Sequence, residues 1–433
     1  MQATDEMFNG STRELNMIIS VYFDDTPLDI TTSNYLIDCY VDELTWCTES
    51  SMLGELSPSS IDIKVANPNK IFTPSNVDGP YYGKIRIGLK IETSISINGS
   101  DPIPFGTYYV TEWRVDSADS LTASIYASDK MTEVLKADTG VLAPIRGISY
   151  KDFITYYFDK LGSAVSIDGN FSSQLLWGFS TGKVANDLKE LSHATWSVIG
   201  FNRNNELTMK ALKSSEAIRA TLTDNDQIIS ISSKQSLTKT YDGASFEFFI
   251  PTLTLDELVS VDQFNVSVGI TKSDVVEFAK RPVVYLTGIV CDTNGIIARV
   301  YSFKYTPDSI SVEIESTESV DSTNISVLGG YINQIPYVNA DDCANPLKYS
   351  NHFVQTGDDA RYFKANLDRY VASELPVITV EIRGNALLNI GDKIEVNSTC
   401  YSTHFVGRIV SIRSKYDGSF SQTLLLLDDS IIG

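Results

Sequence analysis

Paired cysteines and clustered histidines are missing from this chain. Its 433 residues hold five cysteines (Cys39, Cys47, Cys291, Cys343, Cys400) and three histidines (His193, His352, His404), all scattered. No C-x-x-C pair occurs, so neither a disulfide framework nor a zinc site is expected, because both need close, paired spacing. Cys400 and His404 share one face of a strand-like stretch, but no third metal ligand stands near them in the sequence. No run of eighteen apolar residues exists, so no membrane span is expected. The opening MQATDEMFNGSTREL lacks the basic and apolar regions of a secretory leader, and export by that route is not expected. Basic residues are in short supply: 34 Lys and Arg face 55 Asp and Glu, a net charge of −21. Such a chain is not expected to grip nucleic-acid phosphates, which demand clustered cations.

Catalytic signatures are absent as well. There is no G-x-S-x-G elbow, no H-E-x-x-H and no P-loop. Asp224 and Asp226 in LTDNDQI lack the rest of a calcium loop and read as a solvated turn. No catalytic residue, metal or cofactor is expected.

What is present is strand and turn. In FGTYYVTEWRVDSADSLTASIYASDKMTEVL, Tyr108 and Val110 alternate with Tyr109 and Thr111, and Ala123, Ile125 and Ala127 alternate with Ser124 and Tyr126. Period-two alternation rich in aromatic and β-branched residues predicts two strands of a hairpin, each with one buried face. Asp129 follows as the expected N-cap of a short helix through Met131, Val134 and Leu135. From Asn16 to about Ala137 six or seven such strands succeed one another, a density that predicts a barrel or sandwich.

The texture changes at Gly140. SYKDFITYYFDKLG carries Phe153, Ile154, Tyr157, Phe158 and Leu161 at helical spacing, with Ser149 and Asp152 as a capping box and Gly162 as a stop. KVANDLKELSHA predicts a second helix, and two strands flank Asn204-Asn205. Strands return from Ile228 to about Ser316. Residues 317–357 are polar and read as an extended loop or insertion. A helix over ARYFKANLDRYVASEL is expected to start at Asp358 or Asp359 and to end before Pro376. The final runs meet at Asp417-Gly418, the strongest short hairpin signal.

Several of these segments carry a resemblance. The 105–135 hairpin resembles the pattern G-x-[FY]-x-V-x-x-W … L-x-x-x-A-x-D-[KR] of phage tail hub proteins. NALLNIGDKIEV is similar to their N-P-x-[LI]-x-x-G-D-x-I-x-V segment, with Ala386 where proline is frequent, and SKYDGSFSQTLLL is similar to their closing Y-x-G-x-[LF]-x-Q hairpin. The resemblance touches about 300 of the 433 residues, through the order and spacing of these motifs. It implies a mainly β fold with an α+β insertion: two tail-tube-type antiparallel β-barrels plus a small α/β module. The implied division is a tail over 1–15, a first barrel over 16–140, the module over 141–220, and a second barrel over 221–330 closed by 376–433. The insertion and helix occupy 331–375. It further implies a structural homotrimer in the virion's tail baseplate, assembled in the host cytoplasm. Partners would be the tail tube or distal tail protein, the tape measure protein, and a spike, fibre or peripheral baseplate protein. DNA would pass through the lumen, with negative charge there keeping it from sticking, and the short helix would lie outside its barrel against a neighbour. Trp113, Asp129, Gly391, Asp392, Tyr416 and Gly418 are the structural positions singled out, Gly391 for a turn with positive φ and Asp392 for bonds to that turn's backbone. Two other readings stand beside it: a receptor- or carbohydrate-binding tail protein, since Tyr and Trp are plentiful, and a cell-wall hydrolase.

Overall fold

The structure is a computed structural model of the 433-residue chain. It describes residues 2–10, 12–24, 27–44, 56–116, 121–137, 142–169, 171, 173–180, 182–212, 215–224, 227–233, 241–292, 298–340, 342–373 and 377–432. The chain is mainly β, with small α insertions and a large sheet curled as a half-barrel.

The first lobe holds strands β1 (Leu15–Val21), β2 (Leu28–Asp29), β3 (Leu36–Leu44), β4 (Ser60–Ala66), β5 (Lys90–Ile97), β6 (Ile103–Arg114) and β7 (Thr122–Ser128). They pair in the order β3-β4-β7-β6-β5-β1-β2. Period-two sequence sends one residue in two inward: β5 buries Ile91, Thr93, Ile95 and Ile97 and leaves the residues between them half-buried. The lobe is therefore filled with side chains such as Ile19, Val41, Ile63 and Ile125. The residues expected as an N-terminal tail include a helix, α1 (Asp5–Asn9), whose Phe8 enters this core.

Helix α2 (Met131–Lys136) differs in two ways from its reading. Its N-cap position is Lys130, while Asp129, one residue earlier, accepts the Met131 N–H at 2.9 Å. Nor does it wait for a neighbour: Met131 and Val134 pack into the module of the same chain. That module comprises β8 (Ile145–Ser149), α3 (Tyr150–Lys160), β9 (Val165–Asp168), β10 (Gln174–Gly178), α4 (Val184–Ala194), β11 (Ser197–Phe201) and β12 (Leu207–Ala211). Ser149 caps α3 by accepting the Asp152 N–H at 3.0 Å. Phe153, Ile154, Tyr157 and Phe158 are buried against Leu188 and Leu191 of α4.

Next come β13 (Ala220–Thr223), β14 (Ile228–Ser233), β15 (Gly243–Val266), β16 (Gly269–Lys272), β17 (Val276–Glu277), β18 (Val283–Asp292), β19 (Ala298–Tyr305), β20 (Ser309–Ser316), β21 (Val320–Ala340) and β22 (Pro346–Asn351). Here the pairing departs from expectation. The 317–357 stretch is not an irregular loop. Most of it is β21, which pairs with β15 from Ser245↔Ala340 to Val266↔Val320, and β22 lies parallel on the other side of β15. The segment reads as polar because a half-buried strand needs apolar residues only at alternate places, here Ile325 and Val327. Among the described residues, strands β15 to β22 pair only with one another, in two four-stranded sheets around Leu258, Phe278, Ile314 and Val327. This ribbon body takes most of the region assigned to the first part of a second barrel.

The remaining strands complete the large sheet. After α5 (Gly357–Ala372) come β23 (Val377–Arg383), β24 (Lys393–Ser398), β25 (Thr403–Tyr416) and β26 (Phe420–Asp428). The α5 cap is Thr356, whose hydroxyl accepts the Asp359 N–H at 3.1 Å, rather than Asp358 or Asp359. Threonine precedes the helix in extended conformation, where its side chain reaches back to the first turn. Pro376 lies outside the described residues. Strands β13, β14 and β23 to β26 form a second lobe around Ile378, Val380, Ile394, Val396, Leu424 and Leu426. The lobes are joined by strand pairing: Ser411–Tyr416 of β25 hydrogen-bond antiparallel to 39–44 of β3, giving one 13-stranded sheet.

Candidate assembly face

The seam between β25 and β3 sets two things: a continuous outer face and two ionic joints behind it. Side chains facing away from both cores line up across the strands. Ser230, Glu381, Thr423, Arg413, Asp42, Ser60 and Ser128 stand opposite one another in sequence, one per strand, from β14 to β7. One step along the strands, Arg383, Ser421, Lys415, Tyr40, Asp62, Tyr126 and Glu112 form a second row. Asp38, Lys64, Ser124 and Arg114 begin a third. Arg413 clasps Asp42 across the seam in a bidentate pair, 2.6 and 2.9 Å. The rows carry five acids (Asp38, Asp42, Asp62, Glu112, Glu381) and five bases (Lys64, Arg114, Arg383, Arg413, Lys415). The chain's negative surplus is therefore not concentrated on this face.

Behind the seam, Arg203 reaches from the β11–β12 turn into the gap between the lobes. Its guanidinium makes two bonds to Glu43, at 2.8 and 2.7 Å, donates to the Ala386 carbonyl, and lies 4.4 Å from the centre of the Phe105 ring. Burial works against its charge, but Glu43 more than restores it and holds the pKa above the ordinary arginine value. A second joint centres on Arg408, fully buried in β25, which binds Asp429 at 2.7 Å, Glu216, and the Gly391 carbonyl at 3.3 Å. Lys210 extends this network by bridging Glu216 and Asp392 at 3.3 and 3.2 Å. Arg13 ties the N-terminal segment to the second lobe through the Gly384 and Phe420 carbonyls, at 2.7 and 3.1 Å.

The positions singled out from sequence are spread over this framework. Trp113 donates its indole N–H to the Phe72 carbonyl at 3.0 Å and fixes the 67–89 excursion onto the first lobe. Gly391 has φ of +83° and donates its N–H to Ile409 O, while Asp392 accepts the Asn389 N–H at 2.9 Å. Tyr416 pairs with Cys39 across the seam and with Phe420 across the hairpin, and Gly418 takes φ of +93° in the turn between. Gly391 and Asp392 thus meet the Arg408 joint, and Tyr416 lies on the seam. Trp113 sits elsewhere in the first lobe. Arg203, Glu43 and Asp429 were missed, because a charged residue in NRNNE or DELTW reads as solvated. Arg408 carried a signal, a lone cation inside the apolar run FVGRIVSI.

Asp129 is 6% exposed and accepts backbone N–H bonds from Ser59 and Met131. Burial pushes its carboxyl up to about 6 despite those bonds. A carboxyl raised in the folded state stabilises while protonated, and that stability is lost as pH climbs from the unfolded value near 4 through about 6. Chemical denaturation of the wild type should therefore lose about 2–3 kcal/mol across that window from this group. Asp129→Asn should flatten that part of the profile.

Comparison with known proteins places the fold. No protein-family model matches the sequence, and no curated protein matches it by sequence. Two solved structures match over nearly the whole length. The 43 kDa tail protein of prophage MuSo2 from Shewanella oneidensis is 11% identical, at a TM-score of 0.55, covering 97% of this chain and all of that one. A tail protein from Neisseria meningitidis MC58 is 10% identical, at a TM-score of 0.54, covering 96% of this chain and 98% of that one. Among the described residues no helix is long and apolar enough to cross a membrane. At so low an identity the likeness speaks for architecture, and the architecture of this chain is similar to that of these two tail proteins.

Proposed function

We propose that the chain is a structural protein of a phage-type tail, acting as the baseplate hub. Three copies form a ring that joins a sixfold tube to a threefold tip and leaves a lumen for DNA. The observation that carries this reading is the seam: one polypeptide fuses two β-lobes into one sheet through β25 and β3, so three copies present six lobes. Such a chain converts threefold into quasi-sixfold symmetry by covalent linkage. The polar face across the seam is the surface suited to a lumen. Its five acids balance its five bases, so it carries no net positive charge to hold a passing nucleic acid. The role is structural, without catalytic residues. Its partners are a tail tube or distal tail protein on one side, a spike, fibre or peripheral baseplate protein on the other, and the tape measure protein within.

Light scattering on the purified protein tests this. A species of three times 47.8 kDa, about 143 kDa, is the expected result. A stable dimer or tetramer overturns the hub assignment, since neither shares a threefold axis.

A further inference from the structure

A polar junction between β22 and α4 is one of the places where the ribbon body meets the α/β module, beside the apolar contact of Ile332 with Trp177 and Phe179. His352, just past β22, donates its backbone N–H to Glu190 Oε2 at 2.8 Å, and its Nδ1 lies 2.9 and 3.1 Å from the two carboxylate oxygens. Its ring stacks on Phe249 of β15, centroids 4.1 Å apart and planes within 7°. Asn351 Nδ2 donates to the Glu190 carbonyl at 2.8 Å and turns its own Oδ1 to the Phe353 N–H. One glutamate thus receives the side chain and the main chain of the residue where the ribbon ends.

We propose that the His352–Glu190 contact is a proton-operated latch between the ribbon body and the α/β module, closed when the imidazole is charged. The groups facing His352 come from three elements. Glu190 and Asp187 lie on α4 and Glu247 on β15, while His193 of α4 engages the Tyr349 hydroxyl of β22 beside them. Asp187 already accepts the Tyr157 and Ser180 hydroxyls, at 2.9 and 2.6 Å. Carboxylates predominate around the ring, so the pocket favours the imidazolium. Burial alone would lower the His352 pKa, but the bond to Glu190 outweighs it and the net direction is upward. The sign follows: the charged contact is complete below the ordinary histidine range and weakens as pH rises through the raised folded-state value. Loss of the proton leaves Nδ1–H as a neutral donor, about half as strong as the charge-assisted bond.

Hydrogen exchange of the full chain between pH 6 and 9, corrected for intrinsic rates, tests the latch. Protection of 346–355 and 184–194 should fall about tenfold over that range in the wild type, the equilibrium equivalent of one charge-assisted contact. H352Q keeps a neutral donor toward Glu190 and should show the high-pH protection throughout. E190Q should do the same from the other side. Protection of β25 should stay constant in all three, which separates the junction from global unfolding. A flat wild-type profile at the junction, or an H352Q profile that titrates like the wild type, overturns the proposal.

Discussion

Arg203→Met is expected to lower stability by about 3–5 kcal/mol, the cost of leaving one member of a buried ion pair without its partner. Glu43 is 8% exposed, so its carboxylate would lose both guanidinium bonds in a place water barely reaches. The Ala386 carbonyl would lose its donor and the Phe105 ring its cation in the same step. Since Arg203 belongs to the module and Glu43 to the first lobe, while Ala386 lies on the β23–β24 connection packed into the first-lobe core, the unfolding transition should also broaden as these parts lose their common tie. Urea denaturation followed by circular dichroism measures this. The double variant Arg203→Met with Glu43→Gln should recover much of the loss, because no uncompensated charge remains. A single variant within 1 kcal/mol of the wild type would show that Arg203 is not the tie described (about the scale of an ordinary surface change).

Ser414→Pro should separate the lobes. Ser414 lies in the middle of the seam, opposite Val41 on one side and Gln422 on the other, and is almost fully buried. A central strand has no place for proline, which removes a ladder donor and strands its acceptor, a cost of about 1–3 kcal/mol before any steric clash. The first-lobe core of Ile19, Ile63 and Ile125 does not depend on that bond. The expected outcome is therefore a chain with near-native circular dichroism, new protease cleavage between lobes, and no 143 kDa species in light scattering. A proline variant that assembles and melts like the wild type would remove the seam from the assembly argument.

Much of this fold was legible because it is local. The Asp417-Gly418 turn, the Ser149–Asp152 cap and the alternation of β5 or β7 each depend on residues a few positions apart. The joints were not legible because their partners are far apart. Glu43 and Arg203 are 160 residues distant, Asp42 and Arg413 are 371, and nothing in either short stretch names the other. The ribbon body was half legible. Its apolar alternation was clear through Ser316, then hidden by Gly329, Gly330 and the polar residues of β21. The glycines sit there for packing: a Cβ on Gly329 would come within 2.3 Å of the Tyr285 carbonyl oxygen. The outer rows were legible residue by residue, but their alignment is a property of register, which no single strand encodes.

The strand order also fixes a timetable for synthesis. The ribosome delivers β3 early, with one edge ready to pair, and delivers its partner in β25 only some 370 residues later. Strands β13 and β14 likewise appear well before β23 and β24, against which they close. The first lobe, the module and the ribbon body can each mature from neighbouring segments, but the second lobe waits for the last stretch of the chain. Through that interval an unpaired β3 edge is open to other nascent copies. Asp38 and Asp42 on the outward face of β3, with Asp62 beside them on β4, would repel a second copy, so part of the acidity first seen in the composition serves the nascent chain as well as the finished one.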